Sequence, residues 1–169
     1  MTQKEFLLNV LPFKDKVYRL AKRLLISTDE AEDATQELYV KLWNKKEEIS
    51  SLRSVEAYAM TLTKNYCLDR LKSKQASNLT LVHSNYISNE VSLDKKIELE
   101  NSVQIVKKLM NQLPEQQRII IQLRDVEEFD YDEICEIVDM NQTAVRVALS
   151  RARKTIREQL LKTHAYGLG

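Results

Sequence analysis

Glycine is absent from the first 166 residues of this 169-residue chain, and both glycines, Gly167 and Gly169, stand at its C-terminal end. Glycine-rich phosphate loops, dinucleotide-binding fingerprints and nucleophile elbows all depend on glycine, because only a residue without a Cβ permits their tight turns and close backbone approaches. Asn-Gly and Asp-Gly hairpins are excluded in the same way. The chain is therefore expected to be almost entirely helical.

The overall charge is nearly balanced, with 26 basic and 25 acidic side chains, and 43% hydrophobic residues suffice for a core. No apolar run approaches the roughly 20 residues of a membrane span. The N-terminus carries an early acid and lacks the small-residue cleavage site of a signal peptide. We therefore expect a cytoplasmic protein without membrane insertion.

The cysteines and histidines do not form a metal-binding or disulfide pattern. Cys67 and Cys135 lie far apart in the sequence, and His83 and His164 are the only imidazoles. Neither zinc-ligand spacing nor a disulfide framework can be drawn from them. We expect no metal and no cofactor, and we expect both cysteines to be buried structural thiols.

In the first 75 residues, apolar side chains repeat at helical spacing in three stretches. Pro12 divides the first stretch into a short helix and a second helix that begins there, because proline is tolerated in the first turn of a helix but not in its interior. Ser27 and Glu30 have the form of a capping box and begin the next helix, which extends to about residue 46. Ser54 can cap a further helix with a basic polar side. Residues 1–75 are predicted to be one small helical domain.

Residues 76–95 lack this periodicity and are rich in serine and asparagine, so they are predicted to be a linker. Helical spacing returns in residues 96–163, which are predicted to be a second helical domain, with Pro114 in the first turn of one of its helices. Residues 164–169 are predicted to be a short tail.

The second domain has the form of a helix-turn-helix. Asp130 can cap a short helix, residues 139–141 form a turn, and Asn141 can cap a long helix that ends at about Leu161. The apolar residues of the long helix fall on one side, within about 60° of one another. They are Val145, Leu149, Ala152 and Ile156.

Charge is segregated within this motif. Residues 125–139 carry eight acids and no base, whereas residues 140–162 carry six bases and one acid. A helix fits the DNA major groove, and the planar fork of arginine suits phosphate oxygens and guanine edges. A solvated basic face on a surface helix is the alternative interpretation. The neighbouring acidic segment favours DNA binding, because it gives the domain one basic side.

Two separate blocks of the sequence resemble the extracytoplasmic-function (ECF) sigma factors of bacterial RNA polymerase. Residues 113–160, LPEQQRIIIQLRDVEEFDYDEICEIVDMNQTAVRVALSRARKTIREQL, resemble their region 4 domain. Residues 29–43, DEAEDATQELYVKLW, and residues 55–74, VEAYAMTLTKNYCLDRLKSK, resemble their region 2 domain. The resemblance covers nearly the whole chain. It implies an all-α protein of two small helical domains joined by a flexible linker, the second being a helix-turn-helix domain.

The resemblance also implies a function and a set of partners. A sigma factor has no active site; it binds core RNA polymerase and directs it to promoters, where transcription begins. Region 2, residues 1–75, would dock on the clamp helices of the largest polymerase subunit and recognise the −10 element. Region 4, residues 96–163, would recognise the −35 element, and the polymerase flap is a further implied partner. The resemblance also allows an anti-sigma factor as a partner.

The resemblance assigns three groups of residues. Polymerase binding is implied for Asp33, Gln36, Glu37, Leu38 and Trp43. Without the resemblance, Asp33 and Glu37 would be interpreted as a solvated helix face. Recognition and opening of the −10 element are implied for Tyr58, Lys64, Asn65, Asp69, Arg70 and Lys72. Recognition of the −35 element is implied for Arg124, Thr143, Arg146, Val147, Ser150, Arg151, Arg153 and Lys154. Stacking on an aromatic ring such as Tyr58 is a physically sensible way to hold a base of melted DNA. An ordinary core aromatic is the alternative interpretation of Tyr58.

The sequence departs from the family pattern at four positions of the second domain. Cys135 and Asp139 stand where the family usually has a small residue and a glycine near the turn, and aspartate tolerates left-handed turn geometry. Val147 and Ala148 replace a commonly polar pair, so apolar contacts with thymine methyl groups are expected there.

A stand-alone regulator and a helical enzyme are the two alternatives to a sigma factor. A stand-alone helix-turn-helix regulator with a helical N-terminal domain would dimerise on palindromic operators, whereas a sigma factor acts with polymerase at asymmetric promoters of two elements. A metal- or carboxylate-dependent helical enzyme has little support, because the sequence contains no E-x-x-H pair.

Overall fold

The computed structural model of the chain describes residues 1–78 and 102–167. Every regular element in these two ranges is helical, which confirms the all-α prediction for the described part of the chain. The helices are α1 (Gln3–Asn9), α2 (Lys14–Leu25), α3 (Thr28–Asn44), α4 (Lys46–Ile49), α5 (Val55–Asn78), α6 (Ser102–Asn111), α7 (Glu115–Ile121), α8 (Tyr131–Val138) and α9 (Gln142–Gly167). A 3₁₀ turn, Leu11–Phe13, precedes α2, and a π-helical turn, Gln122–Val126, follows α7.

The first group of helices is built around α2, which packs against α3 and α5. Pro12 lies in the 3₁₀ turn between α1 and α2, as its restricted φ requires. The Ser27 hydroxyl accepts a hydrogen bond from the Glu30 amide at 3.3 Å, so the predicted N-cap of α3 is confirmed. The helix ends at Asn44, slightly before the predicted position. Leu20 and Leu42 are almost completely buried between these helices.

The second group, α6 to α9, contains the predicted helix-turn-helix. Asp130 accepts a hydrogen bond from the Glu133 amide, and Asn141 accepts one from the Ala144 amide, both at 2.8 Å. Asp139 ends α8 in the left-handed conformation at φ 54° and ψ 53°, which aspartate tolerates better than most residues. Pro114 is the N-cap of α7 and lies just outside its first turn.

The connections differ in part from the sequence prediction. The predicted linker, residues 76–95, begins inside α5, which extends to Asn78; residues 79–101 lie outside the described residues. Helix α9 continues to Gly167, so its backbone is helical beyond the predicted end and into the predicted tail.

The two groups of helices pack directly against each other. Helix α2 contacts α7 and the π-helical turn, and α5 contacts α8. Buried residues of both groups belong to one hydrophobic cluster. This contact between the two groups was not predicted from the sequence.

The cysteines are both free and differ in burial. Cys67 is fully buried, as predicted, and burial raises the pKa of its thiol to about 12, so it is a structural residue. Cys135 is only half-buried. Among the described helices, none has the length and apolar character to cross a membrane.

Candidate nucleic-acid and protein interfaces

The outer side of α3 carries three of the residues predicted to bind polymerase. Ala31, Ala34 and Leu42 are buried on the inner side of the helix, so residues at the intervening positions face solvent. Asp33, Gln36 and Glu37 are exposed there, and Val40 beside them is 59% exposed. We call Asp33, Gln36, Glu37 and Val40 the α3 surface. Val40 was not among the residues predicted from the sequence, although a valine at an outward position of an acidic helix face indicates a protein-binding surface.

Two residues predicted to bind polymerase pack against other side chains of this protein. The side chain of Leu38 is 1% exposed, so it packs in the core and is not available to a partner in this structure. Trp43 is half-buried: its ring packs edge-on against Phe6 at 5.1 Å, and the Lys46 ammonium lies 3.8 Å from the ring centroid. The α3 surface therefore does not include either residue.

The α3 surface borders a shallow cavity of about 330 Å³ that also reaches α5. Asp33, Gln36 and Glu37 line it together with Tyr66 and Arg70. The Arg70 guanidinium donates a hydrogen bond to the Tyr66 hydroxyl at 3.2 Å. One residue predicted to contact the −10 element thus lies beside the residues predicted to bind polymerase.

The α5 residues predicted to contact the −10 element do not all share one face. At 100° per residue, Tyr58, Asn65, Asp69 and Lys72 fall within about 60° of one another. Asn65, Asp69 and Lys72 are exposed, and Tyr58 is half-buried. Lys64 and Arg70 project about 120° to either side of Tyr58. In this structure the Lys64 ammonium donates a hydrogen bond to the Ile137 carbonyl at 2.8 Å, so Lys64 is held against α8 and does not project along this face.

Helix α9 has the two-sided character that the sequence predicted. Val145, Leu149, Ala152 and Ile156 are all buried, which confirms the inward stripe. The predicted DNA-binding residues of this helix are all exposed; they are Thr143, Arg146, Val147, Ser150, Arg151, Arg153 and Lys154. The fold therefore leaves one side of α9 open to a ligand.

Tyr131 lies between two of the predicted DNA-binding arginines. The guanidinium carbon of Arg146 is 4.1 Å from the centroid of its ring, and that of Arg124 is 4.5 Å away. Arg124 also donates a hydrogen bond to the Phe129 carbonyl at 2.9 Å. Each cation–π contact of this kind contributes about 0.5–1 kcal/mol. Tyr131 was missed by the sequence analysis, and it restricts the direction in which Arg146 points.

Arg153 is bound to an acid of its own domain. Its guanidinium donates to both carboxylate oxygens of Asp125, at 2.5 and 3.0 Å, and the hydrogen bond raises the pKa of Arg153. Both side chains are partly exposed, so solvent screens the pair and its contribution to stability is small. A phosphate would have to compete with Asp125 for this arginine.

If Arg153 contacts a phosphate of the −35 element, as the resemblance implies, Asp125→Asn should strengthen binding of duplex DNA by this chain together with polymerase by about 2–5-fold. The pair is worth up to about 1 kcal/mol, and the substitution releases Arg153 for a phosphate. Fluorescence anisotropy with a labelled duplex measures the effect. Glu136→Gln is the matched control, because Glu136 is an exposed acid of the same domain. An equal gain in DNA affinity in both variants would show that the change in net charge strengthens binding, and that loss of the Asp125–Arg153 contact does not.

Comparison with known proteins gives matches over both domains. Residues 10–77 match the family model described as Sigma-70 region 2, and residues 104–156 match that described as Sigma-70, region 4. The chain is 26% identical over 159 residues to the ECF RNA polymerase sigma factor SigW of Bacillus subtilis (strain 168), covering 88% of this chain and 84% of SigW. It is 29% identical over 167 residues to the ECF RNA polymerase sigma-E factor of Escherichia coli (strain K12), covering 91% of this chain and 85% of that factor.

Two solved structures have the same fold. One is the sigma factor RpoE in complex with the anti-sigma factor NepR from Bartonella quintana, with a TM-score of 0.75, 23% identity and coverage of 93% of this chain and 97% of that chain. The other is CnrH in complex with the cytosolic domain of CnrY, with a TM-score of 0.68, 16% identity and coverage of 94% and 89%.

Region 2 followed by region 4, each with its own helical domain, defines a sigma factor. The chain belongs to the sigma-70 family, and its relatives place it among the ECF sigma factors. It therefore binds core RNA polymerase and promoter DNA and directs transcription initiation. The alternative of a stand-alone regulator is not favoured. Sigma factors are regulatory proteins and not enzymes, and the homologues act with RNA polymerase in the cytoplasm.

Proposed function

We propose a division of labour between three helices of this sigma factor. The α3 surface docks on the clamp helices of the largest polymerase subunit, α5 holds the opened −10 element, and α9 reads the −35 element while its domain contacts the flap. The observation that carries this proposal is the exposure of the candidate residues on α9, opposite a fully buried apolar stripe. Such an arrangement can contact DNA without unfolding the domain.

The α3 surface supports the protein-binding part of this proposal. Asp33 and Glu37 are exposed acids one helical turn apart, and Val40 adds an apolar contact to the same side. Acids on a docking surface increase the rate of association with a basic partner and fix its register. Since the same acids repel phosphate, this side of the protein suits a protein partner better than DNA.

We also propose that the chain has no catalytic activity of its own and works in the cytoplasm, where its polymerase is. An anti-sigma factor is a further proposed partner. One of the two structures with the same fold is the sigma factor RpoE in complex with the anti-sigma factor NepR. The other is CnrH in complex with the cytosolic domain of CnrY.

Transcription in vitro tests the proposal as a whole. Core polymerase should initiate on the DNA upstream of the gene for this chain only when the chain is added. The isolated chain should bind the same duplex poorly, because a net charge of +1 allows little counterion release. Tight binding of a palindromic duplex by the isolated chain, without stimulation of polymerase, would contradict the proposal.

We expect the double substitution Asp33→Ala and Glu37→Ala to weaken binding to core polymerase by about 5–10-fold, because it removes two charges of the docking surface. Neither side chain fills the core, so the fold should survive. Biolayer interferometry at moderate salt measures the affinity. Glu32→Ala is the control, because Glu32 is another exposed acid of α3 that is not part of the α3 surface. Equal affinities for the double variant and the unaltered chain would remove the assignment.

A further inference from the structure

The first two turns of α9, residues 142–149, are uncharged at the centre of their outer side. The buried residues of the helix define its inner side; they are Val145, Leu149, Ala152 and Ile156. At 100° per residue, the direction opposite this buried stripe lies within about 30° of Thr143 and within about 10° of Val147. Both side chains are exposed. The side chains that project furthest from the domain in these two turns are therefore a threonine and a valine.

Val147 is the large apolar side chain of this uncharged strip. It is 42% exposed. Ala148, the other apolar residue expected to contact DNA, projects about 100° away from it, is half-buried and packs against the core. Lys154 and Leu161 share the direction of Val147, but they lie about 10 and 21 Å further along the helix axis. A base edge opposite the second turn of α9 would therefore meet Val147.

The arginines near Val147 lie to its sides. Arg146 projects about 100° away from it, and its guanidinium carbon rests 4.1 Å from the centroid of the Tyr131 ring. Arg153 projects about 120° away on the other side and donates to the Asp125 carboxylate. Arg151 is exposed one turn beyond Val147. Contacts within the domain thus direct Arg146 and Arg153 away from the space in front of Val147.

Valine can recognise only one feature of a base pair in the major groove. Its side chain neither donates nor accepts hydrogen bonds, so it cannot distinguish the donor and acceptor patterns of the base edges. The apolar feature of the groove is the C5-methyl group of thymine. The modified base 5-methylcytosine carries the same methyl group on the same ring carbon, whereas cytosine and uracil lack it. Position 147 therefore favours a pyrimidine that is methylated at C5.

We propose that Val147 makes this sigma factor select a C5-methylated pyrimidine at one position of its −35 element. In unmodified DNA that base is thymine. Because the contact is with the methyl group alone, 5-methylcytosine substitutes for thymine there, and methylation of a cytosine at this position strengthens recognition. The inference rests on the proposed reading of the −35 element by α9 and names the residue that determines one of its bases.

Replacing single thymines of the −35 element with deoxyuridine tests the contact, because uracil pairs as thymine does and lacks only the methyl group. The probe is duplex DNA from the promoter at which polymerase with this chain initiates in vitro, and fluorescence anisotropy measures binding by the holoenzyme. One replacement should weaken binding by about 3–5-fold, the effect of losing one buried methyl group. Val147→Ala should reduce that difference between thymine and uracil to below about 2-fold.

Leu161→Ala is the matched control, because Leu161 is an exposed apolar residue on the same side of α9 and lies far from Val147 along the helix. It should keep the full difference between thymine and uracil. The second arm places cytosine or 5-methylcytosine at the position that the uracil scan identifies. The unaltered chain should bind the methylated duplex about 3–5-fold more tightly than the unmethylated one, and Val147→Ala should bind the two almost equally.

Three results would overturn the inference. One is that no replacement of thymine by uracil weakens binding of the unaltered chain. Another is an equal uracil effect in the unaltered chain and in Val147→Ala, which would place the methyl contact elsewhere. The third is equal affinity of the unaltered chain for cytosine and 5-methylcytosine at the identified position. A holoenzyme whose binding does not depend on any base of the −35 element would instead contradict the proposed function of α9.

Discussion

Replacing Arg146 with alanine is expected to weaken holoenzyme binding to its −35 element by about 1–3 kcal/mol and to relax the preference at one base position. A bidentate contact between arginine and guanine contributes about this much binding free energy, and its loss affects only the base that the arginine contacts. The fold should be unaffected, because Arg146 is exposed and its contact is with the ring of Tyr131. Binding to a set of duplexes that vary each −35 position measures both effects.

The geometry adds a second variant to this experiment. Tyr131→Ala removes the ring on which Arg146 rests, so it should weaken binding at the same base position by about 0.5–1 kcal/mol. Tyr131→Phe keeps the ring and should behave as the unaltered chain. Arg157→Ala is the control for charge, because Arg157 is an exposed arginine further along α9. Uniform weakening on all sequences in Arg146→Ala would identify a phosphate contact and contradict base reading.

Three helix N-termini were predictable from the sequence because the causes of capping are local. A cap needs one polar side chain and an amide three residues away, and Ser27, Asp130 and Asn141 supply this at the predicted positions. The buried stripe of α9 follows from the 3.6-residue period in the same way. The π-helical turn was not predicted, because its acceptors serve residues of α2 that are remote in sequence.

Residue types alone did not reveal which candidate side chains are free to bind polymerase or DNA. Leu38 is an exception, because the helical spacing that it shares with Ala31, Ala34 and Leu42 already indicates the inner side of α3, and it packs in the core. Arg153 has the right type and exposure, but Asp125 holds it. Tyr131 is adjacent to a capping residue, and its position between two arginines depends on the angle between α8 and α9. Such pairings arise from tertiary packing and have no signature in the sequence.

Tyr58→Ala is expected to reduce the rate of promoter opening by about 5–100-fold while leaving recognition of the −35 element intact. Stacking of one base on an aromatic side chain is worth about 1–3 kcal/mol, and this contribution exists only after the strands separate. Tyr58 is half-buried and packs against the hydrophobic core, on the face of α5 that it shares with Asn65 and Asp69. Permanganate footprinting of the −10 element measures opening, and anisotropy at low temperature measures closed-complex binding.

Templates that are already melted at −10 separate the two surfaces. They remove the opening step, so they should restore transcription by Tyr58→Ala more than transcription by Arg146→Ala, whose defect lies in duplex recognition. Tyr58→Phe is the matched control, because it retains the ring and loses only the hydroxyl. Equal restoration of both alanine variants, or of neither, would contradict the proposed assignment of opening to α5 and duplex reading to α9. Melted templates should restore transcription by Tyr58→Ala more than by Arg146→Ala for a physical reason. An aromatic ring stacks on unpaired bases, whereas an arginine fork on α9 reads base edges in an intact groove.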